Sequence, residues 1–504
     1  MNEANPGEPA PSLAPESVRR NTAFAFGVRI AGFVFTGALT IFLVRYLGPA
    51  KFGVYSLALS IATLLSLPTD FGVSPSAARF IAERRDSAQG TAAVLRSALR
   101  LKLITASVAT LLVIALAGPI SSAYGVSSLE WPLRIVALSL FAQSFLALFM
   151  AAFEAIGRNS IAFRVAFFES ATETVSSIAL VLAGAGVVGA VTGRAVGYGV
   201  AVLLGLVFLW RALGRPTARG ADDPSLSLRR IATYAGALFV IDVAFSAFTQ
   251  IDALLIGAFL DPHAVGLFSA PSRMLTVAEY AGLALAGGVA PRLARGRGQS
   301  PNVAAFQRGM RILLTLQFML LAPLVVWAEP ITHFLLGSGY AGSAVVLRAL
   351  APFAVMAGPG AVLALGVNYL GEARRRVPLA LAALATNAVI DIILIPRIGI
   401  VAGAIGTDVA YLIFIAGHVV ICRSLIDLDL RSLGRTVLRC SAAAGAMSLV
   451  LLAIGTSSLS PAQAIIGSIL AITTYVAILL LTREFTPAEI ASTRGAVAAR
   501  LRLR

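Results

Sequence analysis

The sequence predicts an all-α membrane protein of about fourteen transmembrane helices: two six-helix lobes related by a parallel pseudo-two-fold repeat, then two C-terminal helices. Composition, the placement of basic residues and an internal repeat carry that prediction. Soluble domains are about half apolar and about a quarter charged. This 504-residue chain is 58% hydrophobic and 13% charged, so the solvent around most of it is lipid. A net charge of +16 would suggest nucleic acid in a soluble protein. In a membrane protein basic residues gather in cytoplasmic loops for topological reasons, and no nucleic-acid partner is implied.

Residues 1–20 read as a disordered cytoplasmic tail rich in Pro, Glu and Ala. Arg19 and Arg20 precede an apolar run too long for a signal-peptide core, which makes that run a retained first span. An N-lobe over 21–212 holds spans near 22–44, 53–74, 101–122, 132–154, 161–183 and 187–210. A cytoplasmic linker, 213–229, leads to a C-lobe over 230–423, with spans near 231–259, 264–290, 310–336, 344–370, 377–395 and 400–422. Spans 13 and 14 occupy 436–482, near 437–455 and 461–482, and 483–504 form a basic cytoplasmic tail. Breakers such as Leu47-Gly48-Pro49, Gly157-Arg158-Asn159 and Asp261-Pro262 separate the runs.

With the N-terminus placed in the cytoplasm, alternate loops collect 32 of the 40 Lys and Arg residues. The opposite face holds only Arg45, Lys51 and Arg397. One missed span would invert the alternation beyond it, so both termini are expected in the cytoplasm. Trp131, Trp210 and Trp327 fall near span ends and read as headgroup-level belt residues.

A shift of 213–214 residues aligns the chain with itself. Tyr46-Leu47-x-Pro49-x-x-x-Gly53-x-Tyr55-Ser56 recurs as Phe259-Leu260-x-Pro262-x-x-x-Gly266-x-Phe268-Ser269. Farther on, Arg79 falls on Arg292, Arg134 on Arg348, Gly157 on Gly371 and Gly189-Ala190 on Gly403-Ala404. An even number of spans separates the copies, so both insert the same way up. Parallel lobes of this kind suit transport by alternating access.

An ionisable group at mid-bilayer costs at least about 2.5–3.5 kcal/mol on insertion scales, so it faces a wet cavity or a partner. Such cations are Arg29, Arg134, Arg194, Arg273 and Arg348. The acids are Asp70, Glu169, Glu173, Asp242, Asp252, Glu279, Asp391 and Asp408, with Glu154 at a span end. The repeat sets Arg29 against Asp242 and Arg194 against Asp408, which suggests gating ion pairs across a cleft. Arg134 and Arg348 are like charges at equivalent positions; they either snorkel to the outer headgroups or meet an anion. With Arg29 and Arg273 they form the candidate substrate-binding set, since guanidinium bonds phosphate in bidentate fashion. Glu169 and Glu173, one turn apart, are either a proton or sodium site or a packing pair satisfied by neighbours. Asp252 is a similar candidate on the seventh span.

Cys422, Cys440 and the three histidines have no metal-ligand spacing, and no Walker-type lysine, GxSxG or HExxH pattern occurs. No cofactor is expected beyond a coupling H+ or Na+. An enzyme such as a glycan ligase or polymerase would need a large outer loop, whereas the outer segments reach only about ten to fifteen residues.

Arg45-Tyr46-Leu47-Gly48-Pro49-x-x-Phe52-Gly53-x-Tyr55-Ser56, Asp70-Phe71-Gly72 and Arg79-Phe80-Ile81-Ala82 resemble the N-terminal signature of the polysaccharide-transport flippases. These belong to the multidrug/oligosaccharidyl-lipid/polysaccharide (MOP) exporter superfamily and include the O-antigen flippases. Asp252-Ala-Leu-Leu-Ile-Gly257 with Val265-Gly266-Leu267-Phe268, and Ile395-Pro396-Arg397-Ile398-Gly399 with Gly403-Ala404-Ile405, resemble later signatures; the likeness covers roughly residues 20–480. It implies a bacterial cytoplasmic-membrane protein that turns an undecaprenyl-pyrophosphate-linked oligosaccharide to the outer leaflet. An ion gradient rather than ATP would drive it, beside glycosyltransferases and a polymerase as partners. The family's cationic cavity suits Arg29, Arg273, Arg134 and Arg348. A multidrug/cation antiporter of the same superfamily and a peptidoglycan-precursor flippase are the alternatives.

Overall fold

Hydrocarbon offers backbone N–H and C=O groups no partner, so a spanning chain must satisfy them within helices or closed barrels. The computed structural model takes the helical solution, and no strand occurs among the described residues. Those residues are 17–70, 72–84, 87–213, 228–289, 293, 301–457 and 459–485, with side chains masked at 18, 19, 68, 88, 212, 213, 228–238 and 276–289. The N-terminal tail, most of the linker and most of the C-terminal tail lie outside them, as does the Glu279 side chain.

Contacts divide the chain into two units, residues 1–269 with 391–400, and 270–390 with 401–504. The first contains α1 (Val18–Ser66), α2 (Val73–Glu83), α3 (Ala88–Ala123), α4 (Glu130–Ala155), α5 (Asn159–Leu180), α6 (Gly186–Leu213) and α7 (Leu228–Phe259). The start of α8 (Pro262–Val289) and the end of α13 (Val377–Ile398) join it. α1 runs 49 residues. At about 1.5 Å per residue that is far beyond a hydrocarbon core about 30 Å thick. Gly48, at φ 71 and ψ 172 and followed by Pro49, divides it where the sequence places the first span boundary.

The segment 79–102 is expected as a loop, yet α2 and α3 make most of it helical. Gly72, at φ 74, turns the chain into α2, and Ser87 caps α3 by accepting the Gly90 N–H at 3.0 Å. The ninth and tenth expected spans are likewise broken, into α9 (Val303–Val326) and α10 (Ala328–Leu336), and α11 (Ser343–Ala349) and α12 (Ala351–Tyr369). Pro330 and Pro352 sit in the first turns of α10 and α12, where a missing N–H leaves no helical bond unmade.

Two glycine contacts set the first unit's geometry. A Cβ on Gly53 would lie 1.6 Å from the Pro262 carbonyl oxygen, and one on Gly266 would lie 2.0 Å from that of Pro49. The repeated Pro-x-x-x-Gly motif therefore packs reciprocally on its own copy, as a local two-fold requires. The second contact is a glycine ladder on α6. Cβ atoms on Gly193 and Gly197 would lie 2.3 Å from the Ser177 nitrogen and 2.7 Å from the Glu173 Cβ, so only glycine lets α5 and α6 approach backbone to backbone. A π-helical turn, Val181–Ala185, with positive φ at Gly184 and Gly186, joins the two.

The second unit adds α14 (Val401–Leu425), α15 (Leu430–Ile454) and α16 (Pro461–Leu481). Its core runs from Phe306 and Leu313 through Val362 to Met447 and Tyr475, so the last two helices share that core. Trp131 and Trp210 are exposed, as belt residues would be. Trp327 departs from that expectation. It is buried and its indole N–H donates to the Gly455 carbonyl at 3.0 Å, capping the end of α15. Behind α16, Glu484 is 1% exposed and ties three helices together. It pairs with Arg311 at 3.1 Å and Arg439 at 3.0 Å, and accepts the Thr436 hydroxyl at 2.6 Å. Removing one member of a buried ion network leaves the others uncompensated. Glu484→Ala is expected to cost about 3 kcal/mol, read as a lowered melting temperature of the detergent-purified protein.

Candidate functional site

The first unit contains a cavity of about 430 Å³. Its wall is apolar at Leu59, Val136, Leu140 and Phe239, and polar at Asp70, Lys102, Gln143, Ser144, Arg194 and Asp242. Lys102, counted above among the loop cations, is completely buried. Its ammonium forms an ion pair with Asp70 Oδ1 and donates to the Ser144 hydroxyl at 3.2 Å. The Ser74 N–H and hydroxyl donate to the same Asp70 oxygen at 3.1 and 2.8 Å. α3 supplies the cation, the turn before α2 the acid and α4 the hydroxyl. A charge without water is thereby satisfied from three elements.

On the neighbouring wall the glycine ladder brings α6 close enough for Arg194 to reach α5. Arg194 pairs with Glu173 at 2.9 Å, donates to the Tyr198 hydroxyl at 3.1 Å and stacks over that ring. Glu169 accepts the Ser170 hydroxyl at 2.8 Å. Of the two alternatives for the Glu169–Glu173 pair, these bonds supply the packing one. Each member of the expected Arg194–Asp408 pair has a partner within its own unit. Arg194 is held by Glu173, and Asp408 accepts the Phe353 N–H at 2.9 Å within its own unit.

Asp252 on α7 meets Asp391 near the end of α13. Asp391 is fully buried, and neither of its carboxylate oxygens has a donor among the described residues. Among the described residues, Asp252 is the charged group whose charge acts on it. In the repeat Glu173 falls on Asn387, Ser177 on Asp391 and Arg194 on Asp408. The position of Arg194 is thus taken in the second half by Asp408 and that of Glu173 by the neutral Asn387. Two carboxylates in a dry site cannot both carry charge without a shared proton or a cation.

The remaining predicted residues separate by environment. Arg134 pairs with Glu130 at 2.6 Å and lies over Trp131, while Arg348 pairs with Glu329 at 2.9 Å and donates to the Val325 carbonyl. The anion that each was expected to seek is already supplied by the chain. Arg29 is exposed and makes no hydrogen bond among the described residues, Asp242 included; the acid whose charge reaches it is Glu154. Asp242 is exposed on the cavity wall, and Arg273 on α8 is half-buried in the second unit.

Lys102 is the residue that sequence reasoning missed. A one-dimensional signal existed, because 38 of the 40 basic residues are arginine and Lys102 is one of only two lysines. The small-residue period Gly189, Gly193, Gly197, Ala201, Gly205 was equally readable as a close-packing face.

The model of a family described as polysaccharide biosynthesis protein matches residues 42–345. The "Probable low-salt glycan biosynthesis flippase Agl15" of Haloferax volcanii is 21% identical over 420 residues, covering 82% of this chain and 84% of its own. Among solved structures, the lipid II flippase MurJ in its inward closed conformation superposes with a TM-score of 0.73 at 14% identity, covering 92% of this chain and 99% of MurJ. An inward-facing multidrug resistance MATE family transporter of the MOP superfamily gives 0.63 at 17% identity, over 78% and 95%. At these identities the structural likeness establishes the fold: that of MOP transporters.

The α5–α6 ion pair yields a paired test. Arg194→Leu strands Glu173 and is expected to destabilise the protein by about 3–5 kcal/mol. Adding Glu173→Gln should restore much of that loss, measured as thermal stability in one detergent.

Proposed function

We propose that this chain, which belongs to the polysaccharide biosynthesis protein family, is a flippase for a polyprenyl-pyrophosphate-linked oligosaccharide. It works in a bacterial cytoplasmic membrane with both termini in the cytoplasm, and turns its cargo to the outer leaflet for surface glycan synthesis. The observation that carries this reading is a polar, charged cavity enclosed by helices that otherwise bury hydrocarbon side chains. Lipid requires no such cavity, and it costs insertion energy, so it supports passage of a polar group.

Arg29 is the residue that grips the pyrophosphate: its guanidinium is exposed and makes no hydrogen bond among the described residues, unlike Arg134, Arg194 and Arg348. Arg273, on α8, is proposed as a further phosphate-binding arginine. Asp252 and Asp391 form the coupling site, taking a proton or Na+. Glycosyltransferases and a polymerase act before and after the flip. A second reading, antiport of organic cations, draws on one observation: Asp70 and Asp242 line the cavity while Lys102 and Arg194 are already engaged.

Deletion of the gene should leave lipid-linked oligosaccharide on the inner leaflet, measured by leaflet-selective labelling. Normal surface glycan together with lost drug efflux would replace the flippase by the antiporter. Arg29→Gln should lower surface glycan at least tenfold at equal protein level, and Arg29→Lys should recover part of it, as quantified by lectin or antibody binding.

A further inference from the structure

We infer that the 430 Å³ cavity of the first unit is a sugar subsite, in which Asp70 and Gln143 bind hydroxyls of a neutral sugar residue of the lipid-linked cargo. This rests on the flippase reading and names the part of the cargo that the cavity takes.

The chemistry of the wall selects among ligands. Both cations are occupied: Lys102 is buried behind Asp70 and bonded to Ser144, and Arg194 is held by Glu173 and Tyr198. A phosphate entering here would meet no uncommitted cation on the wall, and would face the carboxylates of Asp70 and Asp242. The groups with bonding capacity left are of another kind. Asp70 is 40% exposed, and its ion pair and both Ser74 bonds all use Oδ1, which leaves Oδ2 for a ligand. Gln143 lines the same cavity and makes no hydrogen bond within the described chain, so a carbonyl and two N–H donors are available. The Ser144 hydroxyl accepts from Lys102 and keeps its own hydrogen to donate.

A carboxylate oxygen, a primary amide and a hydroxyl set in an apolar wall match a polyol, whose hydroxyls both donate and accept. A few fixed polar groups in an otherwise apolar cavity of about 300–1,000 Å³ are the usual makings of a small-molecule site. Lys102 is a positioning residue here. By fixing Oδ1 it orients Asp70.

Full-length protein in detergent would be titrated by native mass spectrometry with three probes. These are polyprenyl-pyrophosphate glycolipids extracted from cells lacking the chain, synthetic polyprenyl pyrophosphate without sugar, and tetraphenylphosphonium. Wild type should prefer the glycan-bearing lipid at least tenfold over the bare one. Gln143→Leu, which breaks no bond within the chain, should lose most of that preference while binding bare polyprenyl pyrophosphate as before. Asp70→Asn should do the same, although it also leaves Lys102 buried without its ion pair, so Gln143→Leu is decisive. Absence of a preference in wild type, or its survival in Gln143→Leu, overturns the sugar subsite. Displacement of the glycolipid by tetraphenylphosphonium in wild type but not in Gln143→Leu also overturns it, and gives the cavity to an organic cation. Failure of wild type to bind either lipid instead overturns the flippase reading itself.

Discussion

The cost of an unpaired charge in hydrocarbon governs this molecule more than any single contact. Each ionisable side chain inside the membrane must find a counter-charge, a hydrogen-bond donor or water. Lys102 finds Asp70 and Ser144; Arg194 finds Glu173; Asp408 finds the Phe353 N–H. Arg134 and Arg348 are neutralised near the span ends by Glu130 and Glu329. Against these local solutions Asp391 stands out, because it is fully buried and faces another carboxylate.

Glycine decides which of these charges can meet. The Glu173–Arg194 pair exists because Gly193 and Gly197 let α6 lie directly on the α5 backbone. Any larger residue there would hold the helices apart and strand an arginine in the membrane. The reciprocal approach of Gly53 to Pro262 and of Gly266 to Pro49 plays a comparable part between the repeated motifs. The same backbone contact occurs twice, related by the repeat. Such contacts leave little room for gradual deformation, so motion is more readily taken up at helix breaks such as Gly48 and the Val181–Ala185 turn than within the close-packed pairs.

Much of this was legible in one dimension. The apolar runs marked the helices, and Gly48-Pro49 and Gly184 to Gly186 break the chain where the runs were divided. The Pro-x-x-x-Gly motif was legible as a repeat, but that its two copies pack on each other was not. The intramembrane charges were identified individually, but their partners were not. Lys102 reaches Asp70 across 32 residues and Ser144 across 42, distances over which no periodicity operates. It was counted with the cytoplasmic segment 79–102 in the tally of basic residues. Trp327 was misplaced for a similar reason. Proximity to a span end suggested the headgroup layer, whereas the end of α15 offers its indole a carbonyl inside the protein. Repeat-based pairing of Arg29 with Asp242 and Arg194 with Asp408 assumed that symmetry sets the contacts. Within their own units, Arg194 is held by Glu173 and Asp408 by the Phe353 N–H.

The central claim is that Asp252 and Asp391 bind the ion that drives cargo across the membrane. Its most direct test is a leaflet assay in proteoliposomes, with lipid-linked oligosaccharide as cargo and an imposed Na+ or H+ gradient. The wild-type protein should drive net accumulation in one leaflet under one of these gradients. Asp391→Asn should still bind cargo but equilibrate it between leaflets without regard to the gradient. Gradient-driven accumulation by Asp391→Asn at the wild-type level would contradict the claim, as would a wild-type protein that ignores both ions.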